Sequence, residues 1–168
     1  MAFLEELKEF DIPTCLRVCS GTDGSVTFLL EIMTREDVSV ITEFQEVVSA
    51  DEEQASILGI EVGENINYRT VTLLAGDVRY VHATSLSPLS RMPLEMQQDL
   101  IRADIPIGKI LRKHGIETRR DFDSIKIEQG TELFGATEIL SRTYRIMHQG
   151  FTLMWIYESF PVDDRWKL

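Results

Sequence analysis

The spacing of apolar residues divides the chain into helical and extended stretches. Phe3, Leu4, Leu7 and Phe10 recur at helical intervals, so a short amphipathic helix opens the chain and Pro13 ends it. A turn at Gly21-Thr22-Asp23-Gly24 follows. Ser25 has the character of an N-cap for a second helix, whose expected buried stripe is Phe28, Leu29, Ile32 and Met33. Val38–Val48 then alternates with period two, placing Val38, Val40, Thr42, Phe44 and Val48 on one side of a strand. Ser49-Ala50-Asp51-Glu52 has capping-box spacing and predicts a short helix through Ile57-Leu58 that Gly59 terminates.

Two hairpins follow the same logic. Residues 67–74 and 78–86 are strands joined at Ala75-Gly76-Asp77, where Gly-Asp suits a tight turn. Glu138–Met147 and Phe151–Phe160 flank His148-Gln149-Gly150. Between the hairpins lie a helix around Leu94–Arg102 and a further helical turn or two over Ile107–Lys113, begun by Pro106 and closed by Gly115. A strand is expected at Asp121–Glu128, from Phe122, Ile125 and Ile127. The sum is an α+β fold: a mainly antiparallel sheet of about six strands with helices packed on it. One domain over 1–168 accounts for the length.

Composition narrows the function. Seventeen basic against 28 acidic residues give a net charge of −11, which argues against a nucleic-acid or anionic-membrane surface. An anionic ligand must then be captured by local cations. No apolar run reaches the ~18–20 residues of a membrane span, and the acidic, amphipathic start is unlike a signal peptide, so the cytoplasm is the expected compartment. Cys15 and Cys19 have no neighbours at zinc-site spacing and are read as packing thiols. There is no nucleophile elbow, P-loop or dinucleotide fingerprint. His114 and His148 sit beside glycines in expected loops and read as solvated; His82, within the first hairpin, is left open as a cavity residue.

Two charges break the pattern. Arg69 shares its strand face with Val71 and Leu73, and Glu158 shares the apolar face of the last strand with Thr152, Met154 and Ile156. Neither charge enters an apolar interior without a partner. One explanation is a buried ion pair between them or with other residues. The other is a closed pocket in which Arg69 clamps a ligand carboxylate and Glu158, its pKa raised by desolvation, bonds or protonates the far end. Arg79, Arg142 and Arg145 are further cations placed near strand ends, with no role assigned. Arg119-Arg120 and Arg112-Lys113 read as solvated charges, and the N–H groups of Val26 and Thr27 as an ordinary capped helix start or an anion contact.

At these residues the chain resembles the chorismate lyase superfamily, which comprises chorismate pyruvate-lyases and the UTRA effector-binding domains of bacterial transcription regulators. The resemblance runs from about Gly21 onward. It is carried by Asp-Gly-Ser-Val-Thr at 23–27, Tyr-Arg-Thr-Val-Thr-Leu-Leu at 68–74 with His-Ala-Thr-Ser-Leu-Ser-Pro at 82–88, Ile-Pro-Ile-Gly-Lys-Ile-Leu at 105–111 and Trp-Ile-Tyr-Glu-Ser-Phe-Pro at 155–161. It implies a chorismate lyase-like fold, with Arg69 on the carboxylate of an aromatic acid, Glu158 at its hydroxyl end, and backbone groups of Val26 and Ile107 completing the pocket. Glu158-Ser159-Phe160-Pro161 departs from the lyase pattern by lacking the residue between Phe and Pro.

The implied activity is elimination of pyruvate from chorismate to give 4-hydroxybenzoate, with Arg69 and Glu158 as the catalytic pair and no metal or cofactor. Aromatisation drives the reaction, and the protein need only hold the ring dry and oriented. A small closed cavity predicts slow product release. The expected partner is an aromatic or enolpyruvyl carboxylate; a homodimer stays open. The alternative is a non-catalytic UTRA-type acid-binding module, which the segment Ala55–Gly63 resembles at least as well. In UTRA regulators a DNA-binding winged helix precedes the effector domain, and only about twenty residues precede Gly21 here.

Overall fold

The computed structural model describes residues 2–102, 105–130 and 132–168. Helices α1 (Ala2–Glu9), α2 (Thr14–Gly21) and α3 (Val26–Thr34) precede strand β1 (Val38–Ser49) and helix α4 (Glu52–Leu58). The hairpin β2 (Asn65–Ala75) and β3 (Val78–Pro88) leads to α5 (Leu94–Arg102) and α6 (Ile107–Lys113). Strands β4 (Arg119–Gln129), β5 (Glu138–His148) and β6 (Phe151–Pro161) complete the order.

All six strands form one antiparallel sheet, ordered β1-β2-β3-β6-β5-β4. It is two three-stranded meanders joined where β3 meets β6, so the middle of the sheet belongs to the two hairpins' inner strands. Helices α1, α2 and α3 cover one half of the inner face through Phe3, Leu7, Leu16, Cys19 and Leu30. Helices α5 and α6 cover the other half through Met96, Leu100, Ile110 and Leu111. Helix α4 packs on one corner of the opposite face, against Ile66, Leu86 and Trp155. A pocket lies where the two helical groups meet.

Both hairpin turns form where their glycines put them. Gly76 takes φ +56°, and Gln149 and Gly150 take +49° and +82°, the left-handed pair that a tight two-residue turn requires. Elsewhere the pattern misled in specific ways. Helix α2 is absent from the sequence reading because its eight residues carry only Leu16 and Cys19 as buried apolar groups, and Ser and Gly are weak helix formers. The α4 cap lies two residues later than expected: Asp51 accepts from the Gln54 N–H and the Gln54 side chain accepts from the Asp51 N–H.

The α3 stripe is also out of phase. Phe28 and Ile32 are more than half exposed, whereas Val26, Thr27 and Leu30 are buried. The helix rolls its first turn toward the sheet, and Phe28 lies outside under Arg112. In β1 a bulge between Thr42 and Phe44 reverses the alternation, so Phe44 leaves the inner side and packs edge-on against Tyr68 on the outer one. A second bulge, between Phe122 and Ser124, brings Phe122, Ile125 and Ile127 onto one face despite their uneven spacing.

The histidines read as solvated are held. His148 Nδ1 is 2.8 Å from the Glu117 carbonyl oxygen. His114 Nε2 and Lys113 Nζ each lie 2.7 Å from Asp99 Oδ2, tying the end of α6 to α5. Asp99 is 6% exposed, and the bonds from Lys113 and His114 hold its carboxyl below its ordinary value of 3.8. A carboxylate with a depressed pKa stabilises the fold fully above its ordinary value and less as pH falls below it. The melting-temperature difference between wild type and Asp99→Asn is therefore expected to shrink as pH falls below about 4. A difference that grows on acidification below about pH 4 would contradict this.

Candidate functional site

The antiparallel register sets inward-pointing side chains in rows across the sheet. One row runs Arg69–Ser85–Ile156–Tyr144–Phe122 and the next Val71–Ala83–Glu158–Arg142–Ile125. Strands lie about 4.8 Å apart and alternate residues on one face about 6.8 Å apart, so Arg69 and Glu158 are separated by roughly 12 Å at the backbone. Above the rows, the first residues of α3 and α6 close a pocket. It is lined from the helices by Ser25, Val26, Thr27 and Pro106–Gly108, and from the sheet by Arg69, Val71, Ser85, Tyr144, Ile156 and Glu158 among others. All four residues singled out in the sequence, Arg69, Glu158, Val26 and Ile107, meet there. Its walls are mainly apolar, with charged groups at separate points.

Close approach of the two helix starts depends on Gly108, where a Cβ would sit 3.2 Å from Ser25 Oγ. Ser25 in turn accepts from the Phe28 N–H and fixes the first turn of α3. The N–H groups of Val26 and Thr27 point out of the helix end, where they suit an anion or polar ligand atom.

Arg69 is 1% exposed, and its Nη2 donates to the Ile105 carbonyl at 3.0 Å. Glu158 is 6% exposed and is paired with a residue to which the sequence reading gave no role. Arg142 Nε donates to Glu158 Oε2 at 2.7 Å, and Tyr144 Oη donates to Oε1 at 2.8 Å. Arg142 is not near a strand end: it sits in the middle of β5, fully buried. Its Nη1 donates to the carbonyls of Ser20 and Thr22. Its Nη2 has no hydrogen-bond partner among the described residues, but the guanidinium lies 4.9–5.5 Å from the ring centroids of Tyr144, Phe122 and Phe160, whose π faces attract a cation.

Alternation marks Arg142 in β5 just as it marks Arg69 in β2, since Leu140, Arg142, Tyr144 and Ile146 share the inner face. Burial, and then the charge of Glu158, push the Tyr144 hydroxyl well above the ordinary phenol range, so it remains a donor. Burial likewise pushes the Cys19 thiol up to about 12 against the opposing pull of Arg142, which makes it an inert packing group.

The other candidates lie elsewhere. His82 is opposite Thr72 on the outer face, with Nδ1 3.3 Å from Thr72 Oγ1; burial lowers its pKa and Glu43 opposes the shift. Arg145 pairs with Asp123 on that face, and Arg79 is exposed near the β2–β3 turn. Among the described residues no group of three or more His, Cys, Asp or Glu side chains is placed to hold a metal, and no helix is long and apolar enough to cross a membrane.

Comparison with known proteins places the chain in a family. The family model described as chorismate pyruvate-lyase Rv2949c-like matches residues 21–167. The chain belongs to that family. It is 34% identical, over 169 residues, to a protein of Methanocaldococcus jannaschii named "Putative lyase MJ0807", covering 94% of this chain and 84% of that relative. Solved structures share the fold: the effector domain of PhnF from Mycobacterium smegmatis superposes with a TM-score of 0.69 at 20% identity, covering 82% of this chain and 88% of that one. A GntR-family transcriptional regulator from Bacillus cereus gives 0.57 at 16% identity, over 74% of this chain and 91% of that one. The Rv2949c-like chain therefore has the α+β fold of the UTRA effector domains as well.

Proposed function

We propose that this Rv2949c-like protein is a chorismate pyruvate-lyase whose substrate occupies the pocket between β2, β6 and the starts of α3 and α6. The observation that carries the reading is the convergence of Arg69, Glu158, Val26 and Ile107 on one largely apolar pocket. Arg69 holds the ring carboxylate with its fork of N–H donors. Glu158, with one oxygen bonded by Arg142 and the other by Tyr144, retains lone pairs on both and accepts from the ring hydroxyl. This is a more limited role than proton donor to the ether, because its surroundings supply donors to a carboxylate.

The reaction breaks the ether C–O bond and removes the hydrogen from the hydroxyl-bearing ring carbon. The ring becomes 4-hydroxybenzoate, and the expelled enolpyruvyl group takes up a proton to become pyruvate. Apolar walls at Val71, Leu73, Ile146 and Ile156 keep water from the ring. The cavity measures about 60 Å³, room for a few waters and below the roughly 150 Å³ of an apolar cavity that admits benzene. A ring ligand therefore needs the pocket walls to give way, which favours tight product retention.

Incubating the purified protein with chorismate and measuring pyruvate is the deciding experiment. Pyruvate release well above the uncatalysed rate is expected, with 4-hydroxybenzoate in equal amount. The effector-domain fold of the solved relatives favours a second reading, a binding module for an aromatic acid. Tight 4-hydroxybenzoate binding by a folded protein that releases no pyruvate would establish that reading in place of the first.

A further inference from the structure

Its sequence surroundings mark Arg120 as a solvated charge, yet it lines the pocket from β4. Three strands, β3, β6 and β5, separate its strand from that of Arg69, so the two arginines enter from opposite sides with Glu158 on a strand between them. Arg120 is anchored by Nη1, which donates to the Asp23 carbonyl at 3.0 Å, and its guanidinium carbon lies 5.9 Å from the Tyr144 ring centroid. The carbonyls of Ser20, at the end of α2, and of Thr22, in the same turn as Asp23, hold Arg142. Arg120 Nε is buried, and among the described residues it has no hydrogen-bond partner and no carboxylate forms an ion pair with Arg120.

A buried, unsatisfied donor on a guanidinium carries a desolvation cost that an incoming acceptor removes. This donor belongs to a cation beside a pocket whose other cation is already assigned to a carboxylate. A second anion suits it, and a chain of net charge −11 has to match each charge of a dianionic ligand locally.

We propose that Arg120 binds a second carboxylate, so that the site selects ring-bearing dicarboxylates over monocarboxylates. The inference rests on the reading in which Arg69 holds the first carboxylate. Under that reading the second is the enolpyruvyl carboxylate, and its departure with pyruvate removes the Arg120 contact and leaves the product held by Arg69 and Glu158 alone.

The test is calorimetric titration of the intact wild type, Arg120→Gln and Arg120→Lys with two aromatic acids. One is 4-hydroxybenzoate, with a single carboxylate. The other is a benzoate bearing an enolpyruvyl ether at its 3-position, which carries both carboxylates and is already aromatic, so it is not turned over. Wild type is expected to bind the dicarboxylate more tightly. Arg120→Gln is expected to lose about 10- to 100-fold in affinity for it and no more than about twofold for 4-hydroxybenzoate. Arg120→Lys keeps the charge without the fork and falls between; it also serves if the glutamine variant melts early. Equal losses for both ligands, or none for the dicarboxylate, would overturn the assignment while leaving the Arg69 clamp in place. Failure of wild type to bind either acid would overturn the lyase reading and this inference with it.

Discussion

Replacing Arg69 with alanine is expected to weaken 4-hydroxybenzoate binding by roughly 30- to several-thousand-fold. The figure corresponds to about 2–5 kcal/mol for truncating one partner of a buried, hydrogen-bonded charge pair. The effect is large because Arg69 is almost wholly enclosed, 1% exposed, so the carboxylate it meets has left water and has little else to replace its hydration. Arg69→Lys keeps the charge but supplies a point donor where a planar fork stood, and is expected to recover only part of the loss. Calorimetry on folded variants, checked by thermal melting, reads this directly. Unchanged affinity in Arg69→Ala would remove the carboxylate clamp from the site.

Arg142→Met is expected to be the most destabilising single change at the pocket. It leaves the Glu158 carboxylate buried with the Tyr144 hydroxyl as its remaining donor, and strips a donor from the carbonyls of Ser20 and Thr22. Breaking a buried pair from one side typically costs about 3–5 kcal/mol, which for a chain of this size lowers the melting temperature by roughly 10 °C. Ligand affinity should fall as well, since the turn those carbonyls belong to carries Ser25, Val26 and Thr27 into the pocket wall.

A double variant separates the two effects. Arg142→Met with Glu158→Leu removes both charges, and apolar replacements of a buried pair are often neutral or stabilising. It should therefore regain much of the lost stability while binding no better than the single variant. Arg142→Met melting within about 2 °C of wild type would show that the pair contributes little to stability.

The three arginines Arg69, Arg142 and Arg120 are not equally legible in the sequence. Two-residue alternation along one strand marks Arg69, and the same alternation on another marks Glu158. Arg142 had the same signature between Leu140 and Tyr144, but its placement near a strand end hid it. Arg120 lay one residue outside the expected strand, which begins at Arg119 and not Asp121. The bulges at Thr42/Phe44 and Phe122/Ser124 shift alternation by one residue, so a fixed period of two assigns Phe44 to the wrong face. In α3 the periodicity located the helix, but the side it buries followed from packing against the sheet and α6.

What the sequence determined by itself was local. Gly76 and Gly150 supply backbone conformations that need no tertiary partner, so both hairpins, and with them most of the sheet, follow from neighbouring residues. A charge among apolar neighbours on one strand face is likewise a local contradiction, and it marked Arg69 and Glu158 as groups requiring partners. Which partners they met was decided only by the tertiary structure. The choice depends on β3 pairing with β6, on β5 standing beside β6, and on two helix starts meeting over the gap. Strand order across residues far apart in the chain is set by which apolar faces bury together. That order put Arg142 next to Glu158 and left Arg69 across a pocket from it.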